Sequence, residues 1–424
     1  MSSVLRRARP AVAGLLAALA IEFADELVDG TKSAAMPLIK HDLALTYFQV
    51  GLLAAVPLLL GSVLEAPVGV LAGTGRRRRW FILAGGLVFV AAVLGAGLAP
   101  SFAALLAALV IFFPASGTFV SLTQSAIMDA DPDRRAHYMA RWTLAGSAGD
   151  VAGPLLVVAV LAAGGGWRLA FVLVSAVAAV SWLMSAASGP AQSGGDGRAG
   201  LAGPARADSA GDGRDEPGAD DRWPGLRAAA RITARAGAVR WLVLLEVSDL
   251  LLDVFSAFLA LYLLAVVHAS PAVAALGVAV RLGAGLAGDA VLIPLLERLD
   301  SRRVLRVSVV ATGLLFPAFL LVPGLGPKLA VLAVLSVATA PWYPVLKAEL
   351  FASLPGRSDL AVSLASVAGL AGGLGPLAVG LLAQQFGLTW ALAVLCLVPV
   401  AMLAAPAGRS RAAASTSTKL DTRD

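Results

Sequence analysis

Long apolar runs, each of a length that crosses a bilayer, govern what this chain can become. They fall at 11–36, 46–72, 80–99, 101–128, 137–163, 168–187, 239–266, 272–298, 303–323, 327–353, 359–385 and 388–406. A helix needs roughly 20 apolar residues to span the hydrocarbon core. Inside lipid every backbone N–H and C=O must find an internal partner, so only helices or a closed barrel qualify. These runs are continuous in Ala, Leu, Val and Gly and do not alternate polar with apolar residues, which selects helices with close small-residue contacts. The chain is 58% hydrophobic and 14% charged, with a mean hydropathy of +0.83. Soluble domains hold about 45–50% apolar and 25% charged residues. The predicted fold class is an all-α polytopic membrane protein of about twelve transmembrane helices.

Two of the runs carry charge that lipid disfavours. Glu22, Asp25, Glu26 and Asp29 recur at helical spacing and form one stripe in the first run. Each central carboxylate costs roughly 2.5–3.5 kcal/mol on insertion scales, so such residues normally face a cavity or a partner and mark function. The stripe returns as Glu246, Asp249 and Asp253, every position 224 residues on (246−22, 249−25, 253−29). Glu65 and Asp289 repeat the same offset, and Gly153-Pro154 answers Gly375-Pro376 at 222. The expectation is two pseudo-symmetric six-helix halves, 1–187 and 237–408, with a substrate site at their interface near the midplane. Residues 188–236, rich in Gly, Pro, Ala, Asp and Arg, read as a disordered linker, and 409–424 as a tail.

Charge sets the orientation. The net charge is +6. Arg6/Arg7/Arg9, Arg76–Arg79, Arg134/Arg135, the linker, Arg302/Arg303/Arg306, Arg357 and Arg409/Arg411 all fall on one side of a twelve-span chain. The opposite connections hold Lys32, Lys40, Arg168 and Lys328. The positive-inside rule then makes both termini and the linker cytoplasmic, in a multi-pass protein of the cell membrane. The excess of base is a topology signal and does not suggest nucleic acid. The first run outlasts a signal peptide and reads as a retained span. The lone Cys396 excludes a disulfide within the chain. His41, His137 and His268 lack metal-ligand spacing, so no metal site is assigned. No phosphate-binding loop or hydrolase elbow appears, which disfavours ATP-driven transport and enzyme chemistry, and no cofactor is expected.

The candidate cavity residues for proton coupling and substrate are Glu22, Asp25, Asp29, Glu65, Asp150, Asp249, Asp253, Arg281, Asp289, Lys347 and Glu349. Carboxyls that alternate between charged and protonated forms could tie proton entry to helix movement, and the same acids would attract a cationic substrate. Glu26 points somewhat aside and is the weakest member. Arg281 and Lys347 are the expected ion-pair partners of Glu65 and Asp289. Pro341-Trp-Tyr-Pro344 predicts a bend in the tenth span, and Trp342 and Tyr343 read as packing or as a stacking surface.

Gly69-Val-Leu-Ala-Gly73-Thr-Gly75-Arg76-Arg77-Arg78 resembles the loop between spans 2 and 3 of the major facilitator superfamily, with Gly73 where that family has Asp and the following spacing one residue short. The resemblance covers the chain outside the linker. It implies a cytoplasmic latch at Gly69, Gly75, Arg76 and Arg77, with Glu297 and Arg302/Arg303 as the second half's version. Gly146-Ser-Ala-Gly149-Asp-Val-Ala-Gly153-Pro154 is similar to the Gly-rich fifth-span motif of that family's proton-coupled drug exporters. Gly149, Gly153, Pro154, Gly375 and Pro376 would then serve helix packing and gating. Asp29…Met36-Pro37-Leu38-Ile39 and Gln49-Val50-Gly51-Leu52-Leu53 resemble the fosmidomycin-resistance-like branch, which often has His in the first span where this chain has Glu22. What the resemblance implies is a monomeric secondary transporter, exporting a small molecule against protons and serving drug resistance. Proton-coupled uptake of a nutrient, or a transport-inactive receptor, are the alternatives.

Overall fold

The computed structural model describes residues 2–72, 75–130, 135–188, 238–353 and 372–404, the side chains at 1–12, 62, 64–70, 73–75, 128–137, 140 and 351 excepted. The predicted linker, the tail, and the side chains of Glu65, Gly69 and Gly75 lie outside the described residues. Every described element is helical, and no strand occurs among the described residues. In chain order the helices are α1 (Ser2–Asp42), α2 (Tyr47–Ala72), α3 (Gly75–Gly97), α4 (Phe102–Ser116), α5 (Leu122–Ala130), α6 (Arg135–Ala162) and α7 (Trp167–Ala187). After the linker come α8 (Ala238–Ala265), α9 (Pro271–Arg298), α10 (Ser301–Leu321), α11 (Leu325–Thr339), α12 (Trp342–Ser353), α13 (Gly375–Phe386), α14 (Leu388–Ala393) and α15 (Leu397–Ala404). Each of the twelve predicted spans contains helix. Seven helical stretches among the described residues are long and apolar enough to cross a membrane.

Among the described residues, the fourth, tenth and twelfth predicted spans break within their apolar runs. The fourth passes from α4 through a π-helical turn, Gly117–Ser121, into α5. Pro114 sits at this break, and Thr118 Oγ donates to its carbonyl at 2.7 Å. Proline contributes no N–H and disturbs the ladder, and a π turn absorbs the mismatch. The tenth breaks at Ala340–Pro341 into α11 and α12, where the Pro341/Pro344 pair places its bend. The twelfth passes from α14 to α15 through a 3₁₀ turn, Val394–Cys396.

Glycine sets the closest packing. α1 lies along α6 so tightly that a Cβ at Gly149 would sit 2.3 Å from the Phe23 carbonyl oxygen, one at Gly153 2.4 Å from the Thr31 nitrogen, and one at Gly30 2.3 Å from the Asp150 oxygen. No side chain fits there, so the fifth-span glycines are the reason these two backbones touch. A second close seam joins α2 to α13: a Cβ at Gly51 would meet the Pro376 oxygen at 2.7 Å, and one at Gly380 the Tyr47 oxygen at 2.6 Å. Gln384 Oε1 accepts from the Tyr47 N–H at 3.1 Å across that seam. α6 also packs on α9, and α1 on α8 and α9. A buried aromatic cluster of Phe255, Phe316, Phe319 and Tyr262 fixes α8 to α10.

Candidate functional site

The first acidic stripe faces α6, the π turn and the helices across from it. Glu22 is buried, with 8% of its surface exposed. The Trp142 side chain hydrogen-bonds to it, and Gly146 leaves room for its carboxylate, since a Cβ there would lie 2.7 Å from Glu22 Oε1. Glu26 lies against the same glycine, 3.2 Å from that Cβ position. It therefore belongs to the group, where helical spacing alone had set it aside. Asp25 accepts a hydrogen bond from Ser116 Oγ at 2.8 Å. Ser116 ends α4 beside the π turn, so the irregular backbone presents a hydroxyl to a membrane-embedded acid. Asp29 pairs with Lys32 one turn on, and the Lys32 ammonium lies 5.4 Å from the Phe113 ring centre.

Asp29 is also the acid that Asp150 of α6 and Asp253 of α8 both sense. Arg281 of α9 stands among them, with Asp253 and Asp150 the carboxylates it feels most. Its guanidinium donates to the Leu252 carbonyl at 2.7 Å and lies 5.6 Å from the Phe255 ring centre. Among the described residues no carboxylate comes within the 4.0 Å of an ion pair with Arg281. Its positive charge is thus shared by acids from α6 and α8 and locked to neither. Asp253 is solvent-accessible while lying among these groups, as a cavity wall would be. Asp249 accepts from Ser248 Oγ at 3.3 Å and senses Asp253, Glu246 and Lys347. Lys347 donates to the Tyr343 hydroxyl.

Glu246 repeats the setting of Glu22. A Cβ at Gly372 would lie 2.5 Å from Glu246 Oε2, and the Gly372 backbone N–H hydrogen-bonds to the carboxylate. A carboxylate resting on a glycine therefore recurs in the second half, although Gly372 follows Gly146 by 226 residues and so lies two positions out of the acids' register.

Other expectations are corrected. Glu349 is not a cavity acid: Arg302 grips it through Nε at 2.9 Å and a terminal nitrogen at 2.7 Å, tying α10 to α12. That pair replaces the Glu297–Arg302 arrangement, and Glu297 is exposed. Asp289 is exposed and has no ion-pair partner among the described residues, because Arg281 and Lys347 point to Leu252 and Tyr343. Of the two readings of Trp342 the structure bears out packing, since it is fully buried and donates to Ser308 Oγ at 2.7 Å. Lys328 is no loop charge. It is 4% exposed, donates to Tyr262 Oη at 3.2 Å and to the Phe319 and Leu320 carbonyls, and caps the end of α10. Arg76 and Arg77 are exposed at the start of α3, and Pro154 is buried against α1. Gly375 rests on Leu250 of α8.

Sequence reasoning missed Ser116, Trp142, Lys32 as an ion-pair partner and the closure at Gly51. Pro114-Ala-Ser-Gly-Thr, a proline followed by small polar residues inside an apolar run, was the available signal for Ser116. An apolar groove of about 500 Å³ lined by Leu382, Phe386, Trp390, Ala391 and Val394 holds none of the acids.

The comparisons agree with this architecture. The family model for the Major Facilitator Superfamily matches residues 18–245. No curated protein matches the chain by sequence. Among solved structures, a bacterial homologue of the human lysosomal transporter Spinster, inward-facing and occupied, matches with a TM-score of 0.70 at 18% identity, covering 92% of this chain and 94% of that one. The nucleoside transporter NupG gives 0.68 at 14% identity, covering 92% and 99%. The peptide transporter POT in complex with sulfate gives 0.66 at 16%, covering 92% and 94%. At these identities the likeness is one of fold.

Proposed function

From the premise that the chain belongs to the Major Facilitator Superfamily, we propose that it is a proton-coupled antiporter that exports a small molecule by alternating access. The observation that carries this reading is Arg281 of α9, which donates to the Leu252 carbonyl and lies within ion-pair distance of no described carboxylate, with Asp150 of α6 and Asp253 of α8 as its nearby acids and Asp29 of α1 beside those two. In the proposed division 1–187 and 237–408 are the two moving bodies, and this group bridges them. A proton on one acid changes which carboxylates hold Arg281, and that changes the contact between α6 and α9. Substrate and proton then need only disfavour each other's bound state for exchange to follow. Asp25 with Ser116 and Glu22 with Trp142 supply further sites where a proton can reside.

The distribution of arginine supports a cytoplasmic location for both termini and the linker. On that orientation the α2–α13 seam at Gly51 and Gly380 is the outer gate, and it is closed. Closure on the outer side is what loading a molecule from the cytoplasm for export requires. The export direction rests on the fifth-span glycine motif and on the branch resemblance.

A substrate-panel efflux assay in cells with and without the protein, repeated after collapse of the proton gradient, tests the reading. Protein-dependent efflux that stops on collapse supports it. Efflux indifferent to the gradient rejects proton coupling, and gradient-dependent accumulation in place of efflux rejects the direction.

A further inference from the structure

At the ends of α8, α10 and α12 that lie on the linker side, arginines outnumber the acid they surround. Arg302 makes the bidentate pair with Glu349. The Trp241 ring centre lies 4.7 Å from the Arg240 guanidinium and 5.6 Å from that of Arg302. Arg240 senses Arg302 and Arg306 as like charges and Glu349 as the one nearby acid. Charge does not balance among the described residues: Arg240, Arg302 and Arg306 bring three positive charges to the two negative charges of Glu349 and of Asp300, which Arg302 also senses. Nor is every donor used. Arg240 Nε is buried and has no hydrogen-bond partner among the described residues. A buried guanidinium donor left unmade is costly, and like charges this close repel. Both costs vanish when an anion with several acceptor oxygens sits between the groups.

The surface beside the cluster identifies the anion's other part. From Arg306 the outer face of α10 continues as Val307, Val310 and Leu314, which expose 63%, 48% and 72% of their surface. On α8, Val239 and Val243 expose 45% and 53%. An inorganic anion would use the arginines and leave this apolar tract untouched, whereas a phospholipid would use both. Trp241 lies where the two zones meet, as aromatic residues do at the headgroup level.

We propose that Arg240 and Arg306, beside the Arg302–Glu349 pair, form a binding site for the phosphate headgroup of an anionic phospholipid, whose acyl chains run along the exposed valines of α8 and α10. Basic pockets between spans on the cytoplasmic side suit such headgroups. Because the cluster clasps α8, α10 and α12 together, an occupied site would stiffen the start of the helix that carries Glu246, Asp249 and Asp253.

The test is native mass spectrometry of the purified full chain after exposure to phosphatidylglycerol and phosphatidylcholine vesicles. Wild type is expected to retain phosphatidylglycerol in preference, and Arg306→Gln, an exposed position whose loss leaves packing intact, to lower retention about fivefold. Arg240→Gln with Arg306→Gln lowers it further, while Arg141→Gln, a charge lost elsewhere on the exposed surface, leaves it unchanged. Retention that is equal in wild type and Arg306→Gln, or that falls equally with Arg141→Gln, overturns the proposal. Displacement of the lipid by millimolar inorganic phosphate also overturns it, and would make the cluster a site for a soluble anion.

Discussion

Asp25 and Ser116 show how a single membrane acid is held. The hydroxyl donates to the carboxylate from the broken helix, so the acid has a polar partner but no fixed counter-charge. Asp25→Asn removes the charge and keeps the shape. It is expected to reduce gradient-driven transport at least about fivefold, the scale of an ordinary coupling energy, with fold and expression intact. Unchanged coupling would remove Asp25 from the mechanism. Gly149 and Gly283 make opposite predictions from one substitution. Gly149→Ala drives a methyl into the Phe23 carbonyl and should cost about 1–3 kcal/mol, read as a lower thermal midpoint in detergent. Gly283 has nothing within 4 Å of its Cβ position, so Gly283→Ala should be neutral or stabilise α9 by up to about 1 kcal/mol. Lys328→Met leaves carbonyls at the end of α10 without their donor and should cost about 1–3 kcal/mol in the same measurement. At this scale the acids themselves were legible, because a carboxylate in an apolar run is conspicuous. Their partners were not: Ser116, Trp142 and Gly372 are ordinary residues whose role depends on which helix lies opposite.

Helices and their ends explain the seams. α2 and α13 approach at Gly51 and Gly380, and the Tyr47–Gln384 bond closes the seam. In a Cys396→Ala background, Tyr47→Cys with Gln384→Cys should cross-link on mild oxidation and stop transport until reductant is added. Cross-linking without any effect on transport would show that the seam is not a gate. The end of α1 is fastened differently. Asp42 accepts from the Trp167 indole at 3.0 Å and pairs with Arg168, which also donates to the Ala99 carbonyl at 3.2 Å. The hydrogen bonds from Arg168 and then Trp167 hold the Asp42 carboxyl below its usual range. A lowered carboxyl stabilises the folded state above its unfolded pKa, near 3.9, and loses that contribution as pH falls through the folded value. Arg168→Gln should therefore lower the thermal midpoint slightly at pH 7, by less than about 1 kcal/mol for so exposed a pair, and the difference should shrink as the pH falls through the lowered titration of Asp42. Among the described residues the predicted spans fall on helix because length and composition decide them. The breaks at Gly117–Ser121 and Val394–Cys396 were missed, since apolar content does not report backbone register, whereas Pro341 and Pro344 announced theirs.

For the whole molecule, the 224-residue repeat proposed two related halves before any contact was known, and Glu22 on Gly146 and Glu246 on Gly372 are matching contacts at its two ends. What the repeat could not reveal is where symmetry ends. Arg281 has no counterpart described in the first six helices, and it gathers Asp150 and Asp253 on one side only. In the proposed mechanism, that asymmetry lets a proton act as a signal between the two bodies. The measurement closest to this claim uses energised everted membrane vesicles with a fluorescent reporter of the pH gradient, challenged with a molecule the protein is found to export. Wild type should let protons out as the molecule enters, and Asp150→Asn and Asp253→Asn vesicles should keep their gradient. Substrate entry that leaves the wild-type gradient untouched, or discharge that persists in both variants, would contradict the account.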